Sequence, residues 1–274
     1  MKETKVYHEV TQLLRNFFLQ KNYVEVPTQS RLSILAACEN PFSIATFEYN
    51  GEVWPLPQTG QMWLEYELLK NPEWEGCFCI STSYRDEKDP IPGRHVKIFP
   101  MFEFEAKGSF QDLIDLTKEL CEYLGFGKGV DAIYDDICKE YGDIDTIEDE
   151  HESRMWEELG STIFLTKFPE RTSPFWNMKY NGDGTFNKAD VILFGQETIG
   201  SAERSCDPTE MKSIFYSIME EAYSKKLFEL FGKERVEKEL EDFLKFDFFQ
   251  RFGGGIGLTR LARAWELNKD LALS

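Results

Sequence analysis

The sequence predicts an α+β fold, a largely antiparallel β-sheet flanked by helices. Segments with strand character cluster in the middle of the chain and helical segments flank them, without the strict alternation that a doubly wound parallel sheet requires. No GxxxxGK[ST] phosphate loop occurs. The glycine run Gly253-Gly254-Gly255 lacks the acidic residue roughly 20 positions on that a dinucleotide-binding turn needs, since the sequence reaches only Ser274.

Each element has its own signal. Val6, Val10, Leu13, Leu14, Phe17 and Phe18 recur at a helical period over residues 5–20. Residues 23–26 read as a short strand and 60–70 as a helix. Two strands follow, 76–83 and 97–106, separated by a stretch rich in charge, Pro and Gly. Residues 109–124 form an amphipathic helix. The acidic stretch Asp143 to Glu152 is expected to be solvated surface. Strands are expected at 162–168, 174–180, 186–194 and 198–206, with Asn181-Gly182-Asp183-Gly184 as a hairpin turn. Residues 208–244 are mostly helical, with a break near Gly232. A last strand, 246–252, runs into the triple glycine and a closing helix.

Composition narrows the function. The 274 residues suffice for one large domain or two small ones, and 23 Phe supply a substantial core. The 31 Lys+Arg against 49 Asp+Glu give a formal charge of −18, which argues against a broad nucleic-acid surface while leaving room for a local basic groove. No apolar run reaches the roughly 18 residues of a membrane span, and Met1-Lys2-Glu3-Thr4-Lys5 is no secretory signal. The six cysteines are expected as free thiols in the cytoplasm. Cys77 and Cys79 share one strand face with no second ligand pair nearby, so they read as buried packing residues.

Three segments carry chemistry. Ser83-Tyr84-Arg85-Asp86-Glu87 is followed by Arg94-His95 and a strand bearing Phe99, Met101, Glu103 and Glu105. Asp190 is followed by Gly195-Gln196-Glu197 and then Glu203-Arg204. The third is Gly253-Gly254-Gly255-Ile256-Gly257-Leu258-Thr259-Arg260. Arg85 and Arg260 are planar forks suited to phosphate or carboxylate. Arg260 stands three residues past Gly257, at a helix start where a glycine run lets backbone approach a ligand. Asp190 and Glu197 could share a hard cation. Acids alternating along one strand face are costly unless paired.

These segments, in this order, resemble the catalytic core of class II aminoacyl-tRNA synthetases, most of all the asparaginyl/aspartyl branch, from about Val6 to Leu267. Tyr84-Arg85-Asp86-Glu87 with Arg94-His95 and Phe99 is similar to the family's second motif, and Gly255 to Arg260 to its third. The resemblance implies ATP and Mg²⁺ as cofactors. It implies that Arg85 holds the α-phosphate and the carboxylate being activated, that Glu87 reads the adenine amino group and that Phe99 stacks on adenine. Arg94 and His95 would lie near the β,γ-phosphates, and Arg260 would take the γ-phosphate over the purine's other face. Asp190 and Glu197 would bind Mg²⁺, Glu39 with Glu103 the substrate ammonium, and Gln61 would line the amino-acid pocket. In-line attack of a carboxylate on the α-phosphorus needs little proton transfer, so His8 and His151 are expected to be packing or surface residues.

The side-chain pocket stays open between two substrates. The branch reads its side chain with an arginine matched by Arg204. Aspartate-activating members add a lysine where Leu64 stands, and Glu65 follows here, as in asparagine-activating relatives. Glu65 and Arg204 could instead hold an α-ammonium and α-carboxylate, or form an internal salt bridge. The chain begins at the first catalytic helix, so the resemblance implies one catalytic domain over 1–274 without an anticodon-binding domain. Departures from the family are Ile98 and Thr259, each in place of a Glu, and Pro27 two positions before the usual Pro, at Gln29. The expected activity is ATP-dependent adenylation of asparagine or aspartate by a homodimer, with a small non-tRNA acceptor as in asparagine synthetase-type paralogues. The alternatives are tRNA aminoacylation and a silent amino-acid sensor.

Overall fold

A computed structural model describes residues 2–28, 32–35, 39–88, 96–172 and 175–273. The chain runs through α1 (Lys2–Gln20), β1 (Val24–Glu25), a hairpin of β2 (Thr46–Tyr49) and β3 (Glu52–Pro55), and α2 (Gln61–Lys70). It continues with β4 (Gly76–Tyr84), β5 (Ile98–Lys107), α3 (Phe110–Tyr123), β6 (Val130–Ile133), α4 (Tyr134–Glu140) and α5 (Asp149–Leu159). The remainder is β7 (Thr162–Pro169), β8 (Thr185–Leu193), β9 (Gln196–Glu203), α6 (Pro208–Ser217), α7 (Ala222–Phe231), α8 (Lys233–Phe243), β10 (Arg251–Gly257) and α9 (Leu258–Leu273).

Eight strands form one sheet in the order β1-β4-β5-β10-β9-β8-β7-β6, antiparallel except for the outermost pair at each edge. The α+β expectation holds. The last strand in sequence is inserted at the centre, between β5 and β9. One face of the sheet carries Phe78, Phe102, Phe104, Phe252 and Ile256, which pack with Phe18 of α1, Leu113 of α3 and Leu261 of α9. That core is a continuous aromatic layer, with Phe78 and Phe102 stacked at 5.1 Å between centroids. Ser109 caps α3 by accepting the Asp112 amide and is reciprocated by the Asp112 carboxylate, which fixes where that helix starts.

The opposite face is polar and faces α2. Because side chains alternate along a strand, it receives Glu103 and Glu105 from β5, opposite Gly255 and Gly253 of β10. Cys77 and Cys79 of β4 lie on this face as well and pack with Leu64 and Leu68 of α2, so their expected packing role holds. Among the described residues no helix is long and apolar enough to cross a membrane.

Several boundaries differ from the sequence reading. The final strand covers Arg251–Gly257, not 246–252, so the triple glycine lies within the strand instead of following it. A Cβ at Gly253 would land inside the Glu105 carboxylate, so this strand position excludes every side chain. The strand expected at 174–180 is reduced to isolated bridges at Met178 and Tyr180, with residues 173–174 outside the described part. The acidic stretch becomes helical from Asp149, and part of it faces a cavity. The β2–β3 hairpin, β6, α4 and α5 carried too few periodic apolar residues to be read from sequence.

Gly253→Ala is therefore expected to lower unfolding free energy by about 3 kcal/mol, because the carboxylate it strikes is buried and paired and cannot retreat. Urea denaturation of the variant beside the parent measures this; equal midpoints would show that the strand yields.

Candidate active site

A cavity of ≈ 340 Å³ opens on the polar face of the central strands. Its wall brings together Arg85 and Glu87 from the end of β4, Phe99 and Met101 from β5, Glu197, Thr198 and Gly200 from β9, and Gly255, Gly257, Thr259 and Arg260 from the β10–α9 junction. Thr59 and Gln61 enter from the start of α2, and Glu148, Asp149 and Glu152 from α5 and the residue before it.

Arg85 is set by backbone pairing. Its amide donates to the Lys97 carbonyl at 2.8 Å, and it bridges to Ile44. The guanidinium carbon lies 5.2 Å from the Phe99 ring centroid, a cation–π arrangement, with Nη1 3.9 Å from Glu87 Oε1. Among the described residues its Nε has no hydrogen-bond acceptor. Arg260 stands in the first turn of α9, where Nη1 donates to the Glu197 carbonyl at 2.6 Å. The Glu197 amide in turn donates to Glu152 Oε2 at 3.0 Å. Two guanidinium groups thus line one cavity, one from just after β4 and one from the first turn of α9.

Asp190 lies on β8 beside this wall, in register with Gly200, and is buried. Burial is the main cause that pushes its carboxyl up to about 7; Lys188 opposes it and Glu197 adds to it. Asp190 Oδ2 accepts from Lys188 Nζ at 2.7 Å, and Oδ1 has no hydrogen-bond partner among the described residues. A buried carboxylate oxygen without a partner, beside Glu197 on the cavity wall, is the hard oxygen donor set that suits a divalent cation.

Behind Gln61 lies a network that the cavity does not touch. Arg204, Glu105, Glu65 and Arg251 all have fully buried side chains. Arg204 donates to Glu105 through Nε at 3.0 Å and through Nη2, and from Nη2 to Gln61 Oε1 at 2.7 Å. Glu65 accepts from Arg251 Nη2 at 2.7 Å and from Asn177 Nδ2 at 2.7 Å, and it lies 3.6 Å from Arg204 Nε. The internal salt bridge foreseen for Glu65 and Arg204 is present, widened by Glu105 and Arg251. Leu64 is core, packed on the cysteines of β4.

The sequence-derived residues divide accordingly. Arg85, Glu87, Phe99, Gln61, Glu197, Gly257 and Arg260 share the cavity. Glu39 lines a smaller neighbouring pocket with Thr59 and Trp63. Glu103 is buried behind the wall, its Oε2 accepting from the Gly60 amide at 2.8 Å and from Ser81 Oγ; burial raises its carboxyl above the ordinary value. Arg94 and His95 lie outside the described residues. His8 is exposed, and His151 Nδ1 accepts the Glu148 amide at 2.9 Å as a helix cap, so both have the surface or packing roles expected of them. Sequence reasoning missed Arg251, Lys188 and the acids of α5. Arg251 had a signal in its place next to the glycine run, whereas the α5 acids read as an ordinary charge run.

A sequence profile of the tRNA synthetases class II (D, K and N) matches residues 1–266. Over 299 aligned residues the chain is 26% identical to the cytoplasmic asparagine–tRNA ligase of Dictyostelium discoideum, covering 93% of this chain and 43% of that protein. A 121-residue segment is 29% identical to the asparagine–tRNA ligase of Desulforamulus reducens, covering 44% of this chain and 27% of the relative. The chain thus spans less than half the length of either relative. Among solved structures, asparaginyl-tRNA synthetase from Pyrococcus horikoshii complexed with asparaginyl-adenylate superposes with a TM-score of 0.79 at 19% identity, over 97% of this chain and 66% of that one. The aspartyl-tRNA synthetase of Entamoeba histolytica gives 0.74 at 17% identity, over 96% and 55%. At these identities the structural likeness is one of fold.

The buried network makes stability depend on pH. Burial, opposed by Arg204, pushes the Glu105 carboxyl up to about 7 from an ordinary 4.5. The folded protein therefore binds this proton more tightly than the unfolded chain does. The stability this contributes is complete below pH 4.5 and is lost as pH rises through about 7. Glu105→Gln keeps a neutral group at every pH. Urea unfolding between pH 4.5 and 7.5 is expected to show the parent falling relative to the variant by on the order of 2–3 kcal/mol. Parallel curves would mean that Glu105 is ionised throughout.

Proposed function

The chain belongs to the class II tRNA synthetases of the D, K and N group, and on that premise we propose that it activates asparagine with ATP to form the aminoacyl-adenylate. The observation that carries this reading is the meeting of Arg85, Phe99, Glu87, Gln61, Glu197 and Arg260 on one cavity. Those residue types match a nucleotide triphosphate and a small zwitterion. Phe99 offers a ring face for the base, Glu87 an acceptor for its amino group, and the two guanidinium groups neutralise phosphate oxygens.

In the reaction the α-carboxylate of the amino acid attacks the α-phosphorus in line, and pyrophosphate leaves. Arg85 reduces repulsion between the two anions as they approach, and Arg260 steadies the departing phosphates. Asp190 and Glu197 would hold a divalent cation, which supplies further charge neutralisation on the phosphates. No side chain has to move a proton in this step.

The choice of asparagine rests on charge. Two guanidinium groups and two carboxylates balance behind Gln61. An amide side chain held by Gln61 leaves that balance intact, whereas an aspartate carboxylate there would place a negative charge in front of the buried Glu65 and Glu105, which like-charge repulsion disfavours. For the acceptor, a formal charge of −18 favours a small molecule over tRNA. The matches to asparagine–tRNA ligases favour the second reading, aminoacylation of tRNA. The proposal includes a homodimer working in the cytoplasm.

Amino-acid-dependent exchange between ATP and labelled pyrophosphate, run across the twenty amino acids, tests the reading. Exchange with asparagine is expected; exchange with aspartate alone would reassign the substrate, and none with any amino acid would remove the activity. Charging of a tRNA transcript against AMP release with ammonia separates the acceptors. Arg260→Ala should cut exchange by about 10³-fold or more while the protein stays folded, because the guanidinium is partly exposed. Near-parental exchange would take Arg260 out of the mechanism.

A further inference from the structure

Lys188 has no part in the roles assigned above, yet it occupies a decisive place. It lies two residues before Asp190 on β8, so both side chains project from the same face. Its ammonium is 2.7 Å from Asp190 Oδ2 and 3.9 Å from the centroid of the Phe168 ring. Phe168 reaches this face through a bulge. The register of β7 against β8 shifts between Thr166 and Phe168, with Lys167 at φ +57°. The shift puts Phe168 opposite Phe186 and into one apolar cluster with Leu165 and Ile192. The backbone is thus bent to lay a ring face against the lysine, whose side chain is only 21% exposed. On the other side Asp190 Oδ1 is buried with no hydrogen-bond partner among the described residues, and Glu197 and Glu152 stand on the cavity wall nearby.

We propose that Lys188 is a tethered cation that competes with a divalent metal ion for Asp190. This rests on the reading of Asp190 and Glu197 as the metal-binding pair. In the metal-free protein the ammonium holds Asp190 in place and offsets its buried charge. A divalent ion gains Asp190 only by drawing it away from a charge-assisted hydrogen bond, so metal affinity is set lower than the carboxylates alone would give. Phe168 steadies the ammonium where it sits and so strengthens its claim on Asp190.

The test measures Mn²⁺ binding to the full chain by isothermal titration, without nucleotide. Lys188→Gln should bind Mn²⁺ about tenfold more tightly than the parent. Lys188→Arg, which keeps a cation at this position, should stay near the parental affinity, and Asp190→Asn added to Lys188→Gln should remove the gain. Urea unfolding of each variant verifies that it is folded. Equal or weaker Mn²⁺ binding by folded Lys188→Gln overturns the proposal, as does the absence of Mn²⁺ binding by parent and variant alike. Pyrophosphate exchange on the same samples keeps the two questions apart. A parent that forms the adenylate while Lys188→Gln leaves Mn²⁺ affinity unchanged retains the function and loses only the competition.

Discussion

Everything near the cavity is arranged around a cluster of four buried charges, Arg251–Glu65–Arg204–Glu105, that ties α2 to the central strands. Each ion forfeits several kcal/mol of hydration on burial, and only pairing of this quality offsets it. An apolar cluster of the same volume could hold α2 against the sheet as firmly. It could not aim Gln61. Arg204 donates to Gln61 Oε1, which leaves the Nε2 donors on the side of Gly255 and the cavity. The network therefore converts four buried charges into the fixed orientation of one amide at the cavity wall.

That arrangement dictates the glycines. A strand at the centre of a sheet loses packing at each glycine, yet β10 accepts Gly253 and Gly255 on its polar face. At Gly253 the space is taken by the Glu105 carboxylate; at Gly255 an added Cβ would come within 3.0 Å of Gln61 Nε2 and 2.8 Å of the Met101 methyl. The strand survives because its other face is anchored. Phe252 and Ile256 are locked into the aromatic layer with Phe102 and Phe104, packed too densely to let β10 shift sideways. One face supplies rigidity, and the other supplies room.

The regular elements were legible where periodicity was strong. The apolar stripe of α3 and the alternation in β4 and β5 sit within one residue of where the pattern put them, and α1 ends where expected but starts three residues earlier. The cavity residues were legible for a different reason: Arg85, Glu87, Phe99, Glu197 and Arg260 form motifs whose order resembles a known family. What the sequence hid was partnership. Nothing in the spacing of Glu65, Glu105, Arg204 and Arg251 says that they meet, because they come from four elements and the register of β10 between β5 and β9 brings them together. The pattern puts the glycine run after the last strand, since only the neighbouring carboxylate explains it as strand. Lys188 was invisible because a lysine on a strand is ordinary until Phe168 and Asp190 are seen against it.

Net charge and local charge point in opposite directions here, and the local arrangement governs the chemistry. A protein of formal charge −18 repels an anionic ligand at long range, but beyond roughly 8–10 Å that field is screened in ordinary salt. Under the proposed function, the guanidinium groups of Arg85 and Arg260 on the cavity wall would act on the ligand at contact distance, where screening is weak. The same wall carries Glu87, Glu148, Asp149, Glu152 and Glu197. For a polyphosphate such a wall is tolerable only when cations accompany the ligand. Under the proposed function, the acids of α5 would favour a triphosphate that arrives with divalent ions over a bare one. Lys188 applies the same logic from within the chain, since a carboxylate as buried as Asp190 stays ionised only with a positive charge beside it, whether that charge is tethered or delivered.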